Sequence, residues 1–349
     1  MGRYTRRAFL GRAGRSAAAV AILGAAPGLL AACGSSPSGG GKSLGSASLQ
    51  LSWIENVEFA GCYVAASKGY YRKEGLQVTL LSGGPNVAQM PVLASGKALV
   101  AYADPVTTAA ANAQGGDFVQ IGALYQKSPY AVMSLPANPI RTPKDMIGKK
   151  IGVAAGDLDA WSSFLKLNHV SAQSVTRVPV QFDPTPLVSG EVDGFVSYYQ
   201  EEPSELAAKG VKTTVMLWDD YGYKIFGQTH VTTQQALGDS TKRKQIVALM
   251  KAEVRGWQDQ VKDPAGGAKL TIQRSGKSLG LSLQEQTDEA QRALPLIQTS
   301  DTKAHGLLWM TDARVQDSIA TLAATNVKAT RSQFTTQILQ EVYHGANHL

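Results

Sequence analysis

Two stretches of this 349-residue chain carry the same order of parts. Pro91-Val-Leu-Ala-Ser95-Gly96-Lys-Ala precedes one apolar run, and Pro186-Leu-Val-Ser189-Gly190-Glu-Val-Asp precedes another. The first run leaves through Tyr102-Ala-Asp104-Pro105, the second through Tyr198-Tyr199-Gln-Glu201-Glu202-Pro203. Each unit reads helix, Ser-Gly stop, strand, aromatic, acid, proline, helix. Glycine ends a helix because it takes left-handed backbone at no steric cost. An acid before proline opens one, since the acid caps and proline lacks only an amide hydrogen that the first turn does not use. Such alternation implies an α/β fold, and a doubled unit implies two lobes. Ligands of open α/β sheets bind beyond the carboxyl ends of the strands. Two facing lobes would therefore make a cleft lined by both exits. The competing reading is a chance match of common Ser-Gly turns.

The flanking sequence fills in this scheme. Ser48–Trp53 alternates apolar and polar residues and predicts a first strand. Asn56 can cap a helix to about Lys68, where Gly69 stops it. Gln77–Leu81 and Leu99–Ala103 read as further strands, with a loop over Ser82–Asn86 between them. Thr142-Pro143 starts a short helix that Gly148 ends, and Ile151-Gly-Val153 follows as a buried strand. These signals place the first lobe at residues 48–140 and 228–349, and the second at 141–227. From about Lys242, Ile246, Leu249, Met250, Val254, Trp257 and Val261 recur at helical spacing, which suggests helices returning to the first lobe.

The leading segment reads as an export signal. Arg6-Arg7 precede Phe9-Leu10, and an almost charge-free run from Ser16 to Ala32 ends Leu30-Ala-Ala-Cys33. Paired arginines resemble a twin-arginine signal, and Leu-Ala-Ala-Cys resembles a lipobox. Residues 1–32 are thus expected to be removed and Cys33 lipidated. The competing reading, a membrane anchor, needs about 20 apolar residues, more than this Gly- and Pro-broken run supplies. Residues 33–47 are Gly/Ser-rich and read as a flexible tether. The body would then sit outside the cell, held to the membrane through lipid on Cys33.

The signal also explains the charge. Arg3, Arg6, Arg7, Arg12 and Arg15 lie in it with no acid, which leaves 29 basic against 27 acidic residues beyond it. The net charge of +7 is therefore no argument for nucleic-acid binding. Cys33 and Cys62 are the two cysteines. With Cys33 lipidated no internal disulfide can form, and Cys62 reads as a small buried residue. His169, His230, His305, His344 and His348 are dispersed, and no zinc, Walker or nucleophile-elbow motif occurs. Neither metal, cofactor nor catalysis is expected.

Trp53-Ile-Glu-Asn56-Val-Glu58-Phe59-Ala-Gly61 through Gly69-Tyr-Tyr71 to Glu74-Gly-Leu76 resembles the substrate-binding proteins of ABC importers, with Thr142-Pro143…Ile151-Gly152-Val153 as a second landmark. The closest resemblance is to the thiamine-pyrimidine-precursor binders, whose family also holds sulfonate, nitrate and taurine binders. It covers Leu49 to Val342. It implies a type II periplasmic binding protein: two α/β lobes, two hinge crossings and a discontinuous first lobe. It further implies a monomer that delivers a small ligand to a permease with a cytoplasmic ATPase. Asp183-Pro-Thr-Pro186 and the Tyr-rich exit also resemble riboflavin binders. Some eukaryotic relatives are pyrimidine synthases, but their cysteine-rich motif is absent here.

The resemblance places Trp53, Asn56, Glu58 and Phe59 in the cleft. Trp53 and Phe59 offer flat faces to a planar ring, Asn56 offers donor and acceptor, and Glu58 accepts from ring amines. Tyr102 and Asp104 are exit residues of the first lobe; Tyr198 or Tyr199 and Glu201 or Glu202 are those of the second. Gln126, Ser128, Gly156 and Trp161 are further candidates. The plainer alternatives are that Asn56 and Asp104 only cap helices and that Phe59 is core. Acids at both exits favour a heteroaromatic ligand with N–H donors over an anion, which would want Arg, Lys or helix N-termini.

Overall fold

A computed structural model describes residues 43–84 and 86–349. Arg6, Arg7, the lipobox and Cys33 lie outside the described residues. Ten strands form two five-stranded sheets: β1 Gly45–Gln50, β2 Leu76–Leu81, β3 Val100–Ala103, β4 Phe118–Tyr125, β5 Tyr130–Ser134, β6 Lys150–Ala154, β7 Thr176–Val180, β8 Gly194–Tyr198, β9 Thr214–Leu217 and β10 Gly227–Thr233. The orders are β2-β1-β3-β10-β4 and β7-β6-β8-β5-β9. In each sheet the second strand from the far edge, β10 or β5, runs antiparallel to its neighbours. This is the two-lobed α/β architecture that the doubled unit implied.

The sequence repeat has a structural counterpart. β3 lies between β1 and β10, and β8 holds the same place between β6 and β5. Each follows a short helix, Gln89–Ala94 or Thr185–Val188, that ends at a Ser-Gly pair. Gly96 and Gly190 have φ of 73° and 77°, the left-handed backbone that glycine supplies without strain. Each strand then runs into a proline-started helix, Pro105–Ala113 or Glu202–Ala208. Thus both exits point at the space between the lobes.

Two strands cross between the sheets. The chain passes from β4 to β5 through Gln126–Pro129, and from β9 to β10 through the 3-10 turn Trp218–Tyr221. β5 pairs with β8 and β9, so the second sheet begins at Tyr130, ahead of the expected boundary at 141. An antiparallel returning strand has no helix before it and no alternation of its own, which hid it within the first lobe's expected span. β1 also begins earlier than expected. Gly45–Ala47 pair with Leu76–Val78, so the end of the expected tether is strand, and the chain from Leu51 to Trp53 is loop.

The first lobe's core gathers Leu49, Phe59, Tyr102, Leu249, Val254 and Trp257. The long helix Ser240–Lys262 packs there against helix Ala60–Ser67. The second core holds Val132, Ile151, Trp161, Phe164 and Trp218. The C-terminal helices thus return to the first lobe, where Leu283–Arg292 also meets helix Glu202–Ala208 of the second. No described helix is long and apolar enough to cross a membrane.

Candidate ligand-binding cleft

A cavity of about 490 Å³ opens between the sheets, within the roughly 300–1,000 Å³ typical of small-molecule sites. From the first lobe it is lined by Trp53, Asn56, Glu58, Gln89 and Asp104; from the second by Gly156, Asp157, Phe182, Tyr198, Glu201 and Glu202. Tyr130 and Gln228 line it from the antiparallel strands. Helix Leu283–Arg292 adds Glu285, Gln286 and Glu289.

Aromatic rings set its walls. Trp53 meets Phe182 edge-on across the lobes, at a centroid distance of 5.7 Å. Phe182 is 48% exposed, which is unusual for so apolar a ring and leaves a face free. Tyr130 stacks on Trp218 at 5.1 Å and meets Tyr198 edge-on at 5.0 Å. Its hydroxyl donates to Asp157 Oδ1 at 3.1 Å.

The floor is acidic. Glu58, Asp104, Asp157, Glu201, Glu202, Glu205, Glu285 and Glu289 line the cavity, and among the described residues no Lys, Arg or His does. Asn56 caps the turn Val57–Phe59 through Oδ1, which accepts from the Glu58 amide. Its Nδ2 donates to Glu201 Oε1 at 3.3 Å and Glu289 Oε1 at 3.5 Å, joining carboxyls of the two lobes. Gln286 donates to Glu289 Oε2 at 3.0 Å and accepts from the Val57 amide at 2.7 Å. Glu58 is buried, and its Oε1 has no partner. Burial, then the charge of Glu201, pushes the Glu58 carboxyl well above the usual carboxylate range. Burial, then Glu201 and Glu58, does the same for Glu289. Glu201 is pushed up to about 7, by burial first, against the Asn56 hydrogen bond and with Asp157 and Glu285 adding to the rise. Burial raises Asp157 to about 6 despite Tyr130.

The sequence candidates divide cleanly. Trp53, Asn56, Glu58, Asp104, Ser128, Gly156, Tyr198, Glu201 and Glu202 line the cavity. Asp104 also caps its helix, its two oxygens accepting from the Thr107 amide and hydroxyl. Glu202 Oε2 accepts from the Tyr198 amide at 2.9 Å, so it also ties the strand exit to the helix start. The remaining five candidates lie elsewhere. Phe59 is fully buried and meets Tyr102 edge-on at 5.5 Å, so it belongs to the core. Tyr102 points away from the cleft, its hydroxyl donating to Glu253 at 2.9 Å, because strand alternation gives the cleft to Ala103. Gln126 turns back to donate to the Ala123 carbonyl. Trp161 packs in the second core beside Trp218. Tyr199 packs against the first core, leaving Tyr198 as the cleft tyrosine.

Sequence reasoning missed Tyr130, Asp157, Phe182, Gln228 and Glu289. Gln228 carried the least signal, yet its backbone has φ of 49°. Left-handed backbone is rare for a residue with a side chain and clusters at binding sites. Its side chain accepts from Ser52 Oγ at 2.8 Å, fixing the loop that carries Trp53. Among the described residues no group of three His, Cys, Asp or Glu side chains is placed to hold a metal.

Residues 56–266 match the family model described as NMT1/THI5 like. The chain belongs to that family. The family match spans the turn that Asn56 caps, both crossings and the whole second lobe. Riboflavin-binding protein RibY of Chloroflexus aurantiacus is 28% identical over 267 residues, 74% of this chain and 75% of that one. The formylaminopyrimidine-binding protein of Halalkalibacterium halodurans is 21% identical over 267 residues, 75% of this chain and 80% of that one. The alkanesulfonate-binding protein SsuA of Xanthomonas axonopodis pv. citri shares the fold, with a TM-score of 0.56 at 17% identity, covering 83% of this chain and 98% of SsuA. The relatives are not all binders by name. A 4-amino-5-hydroxymethyl-2-methylpyrimidine phosphate synthase of Schizosaccharomyces pombe is 28% identical over 136 residues, 38% of this chain and 39% of that one. Family and fold are thus shared with proteins named as small-solute binders and with proteins named as synthases.

Proposed function

We propose that this chain captures a small heteroaromatic solute outside the cell, as a monomer tethered by lipid on Cys33, and delivers it to an ABC permease. An aminopyrimidine of the thiamine-precursor type is the first choice. One observation carries that choice: an aromatic-walled cleft that, among the described residues, is lined by eight acidic side chains and no basic one. A sulfonate or nitrate would meet carboxylates where it needs donors. An aminopyrimidine presents N–H groups to them and a flat face to Trp53 and Phe182. Closure would follow from lobe rotation about the two crossings once ligand bridges them.

Riboflavin is the second reading, supported by the similarity to RibY over three-quarters of each chain. Calorimetric titration with 4-amino-5-hydroxymethyl-2-methylpyrimidine, riboflavin and taurine tests both. Tight binding of the pyrimidine supports the first reading, and tight binding of riboflavin alone supports the second. Taurine as the sole ligand sinks both. Radiolabelled palmitate incorporated into the wild-type chain but not into Cys33→Ser tests the tether.

A further inference from the structure

We propose that Glu58, Glu201 and Glu289 form a cation subsite that takes a protonated amino or amidinium edge of the ligand, so that the solute is selected in its positively charged form. This deepens the reading above and rests on it. The three carboxyls come from three elements: the turn Val57–Phe59, the start of helix Glu202–Ala208 and helix Leu283–Arg292. All three face one cavity. Glu58 is 3% exposed, lines the cavity and has an oxygen without a partner. A buried carboxyl oxygen left unsatisfied is costly, and the ligand is the group positioned to relieve it. Asn56 occupies one oxygen each of Glu201 and Glu289, which orients the carboxyls without neutralising them.

Among the described residues no basic side chain competes for this place. Lys209 is held by Glu205 at 2.6 Å, and Arg274 by Glu55 at 2.8 Å. The groups around the cluster are themselves acids or neutral. Glu202 adjoins Glu201 and Glu285 shares the helix of Glu289, while Asp157 approaches from the second lobe and the hydroxyls of Tyr63, Tyr125 and Tyr198 from helix Ala60–Ser67, β4 and β8. An empty cluster therefore retains protons near neutrality. A cation entering it displaces one: the proton leaves a carboxyl for solvent, and the cation takes over the charge. Because Glu201 belongs to the second lobe and Glu58 and Glu289 to the first, the same cation draws the lobes together. A neutral ring would leave Glu58 Oε1 without a charged partner, Gln228 being the one group that bonds this carboxyl, and binding sites reject ligands that strand a buried polar group.

Calorimetry of the purified full chain with benzamidinium, an aromatic ring carrying a permanent cation, tests this against benzamide, its neutral isostere. Benzamidinium is expected to bind at least about tenfold tighter, the equivalent of one charge-assisted hydrogen bond. Its apparent enthalpy should vary with the ionisation enthalpy of the buffer, reporting about one proton released per cation bound. Its affinity should rise with pH between mildly acid and neutral, by up to about tenfold per pH unit. Glu58→Gln and, as a second variant, Glu289→Gln should each remove most of the preference and the proton release. If neither variant folds, the wild-type preference and proton count decide alone. Equal binding of the two probes, no buffer dependence, or no binding of benzamidinium at millimolar concentration overturns the subsite. Riboflavin titrated in parallel separates the two levels. If riboflavin binds and benzamidinium is not preferred, the solute-binding reading stands and the cation subsite falls.

Discussion

Arg314 Nη2 donates to Asp219 Oδ1 at 2.8 Å and to the Gln126 carbonyl at 2.6 Å. Gln126 lies in one crossing between the lobes and Asp219 in the other, and the same Asp219 oxygen accepts from the Ser128 amide at 3.3 Å. One guanidinium, carried on the C-terminal helix Asp312–Ala324, thus ties both hinge strands. Asp219 is 5% exposed, so removing its partner strands a buried charge. Arg314→Ala should destabilise the chain by about 3–5 kcal/mol, as for other broken buried pairs. Lysine cannot reproduce the forked geometry, so Arg314→Lys should recover only part of it. Urea denaturation of the two variants checks the order wild type, Lys, Ala.

Phe182 is half-exposed and meets Trp53 in a T-shaped contact, an arrangement that suits a ring inserted between the lobes. Phe182→Ala should weaken binding of an aromatic ligand by roughly tenfold, since an aromatic pair contributes about 0.5–1.5 kcal/mol beyond its burial. Its exposure means the fold should lose little, within about 0.5 kcal/mol for a surface change. Calorimetry and thermal melting on one preparation test both halves. A large drop in melting temperature with unchanged affinity would make Phe182 a packing residue only.

The acid cluster fixes the direction of the pH response. Asp157 and Glu201 titrate near 6 and 7 in the folded chain, because burial outweighs their hydrogen bonds. Between roughly pH 4 and 7, set by the unfolded values of about 4 and these raised ones, the folded state holds more protons than the unfolded. Stability contributed by these groups therefore falls as pH rises through that window and levels off above it. Asp259, where Lys68 and Tyr70 outweigh burial, acts in the opposite sense, but only below about pH 4. Ligand-free protein should melt roughly 3–6 °C higher at mildly acid than at mildly alkaline pH, at a few degrees per kcal/mol. Glu201→Gln should flatten the profile. A melting temperature that climbs from acid to neutral pH would show that the cluster is ionised throughout.

Glu253 sits far from the cleft in the first core, where it accepts from the hydroxyls of Tyr102 and Tyr71 and from Cys62 Sγ. His230 Nε2 lies 3.7 Å from Oε2, the oxygen that Tyr102 and Cys62 also bond. Burial would raise this carboxyl, but His230 and the donors around it hold it below the usual range. Glu253→Ala removes the acceptor for three buried donors and should cost about 3–5 kcal/mol. Guanidinium unfolding measures the loss. The ligand affinity of protein that remains folded should be unchanged, which separates this buried network from the cleft acids.

What the sequence disclosed, and what it hid, follows strand geometry. Both exits were legible because helix stop, strand and capped proline are local signals, and they delivered Asp104, Tyr198, Glu201 and Glu202 to the cleft. They could not say which residue of a fully buried strand faces which side. β3 is buried on both faces, so Tyr102 and Ala103 carry no alternation, and Tyr102 went to the core. Tyr130 and Gln228 ride on the antiparallel strands that only pairing between distant segments creates. Glu289 stands on a helix so hydrophilic that it reads as a solvent-facing surface, although Gln286 and Glu289 are buried. Cys62 was legible as a buried residue, but not as a donor to Glu253.

Gly61 lies where helix Ala60–Ser67 crosses helix Ser240–Lys262, a contact that the sequence pattern does not reveal. A Cβ there would fall 2.2 Å from the Trp257 ring, and one on Gly256 would fall 2.2 Å from the Gly61 carbonyl oxygen. Neither obstacle is a flexible chain end: one is an indole wedged in the core, the other backbone. The helices must therefore separate, and overpacking of this kind costs about 1–3 kcal/mol or more. The displaced helix begins at Ala60, directly after the turn that carries Asn56 and Glu58, so the damage should reach the cleft. Gly61→Ala should lower both stability and ligand affinity, whereas Glu253→Ala should lower stability alone. Paired melting and titration of the two variants distinguishes them. Wild-type affinity in Gly61→Ala would mean that the turn is held by Gln286 and Asn56 independently of the helix it starts.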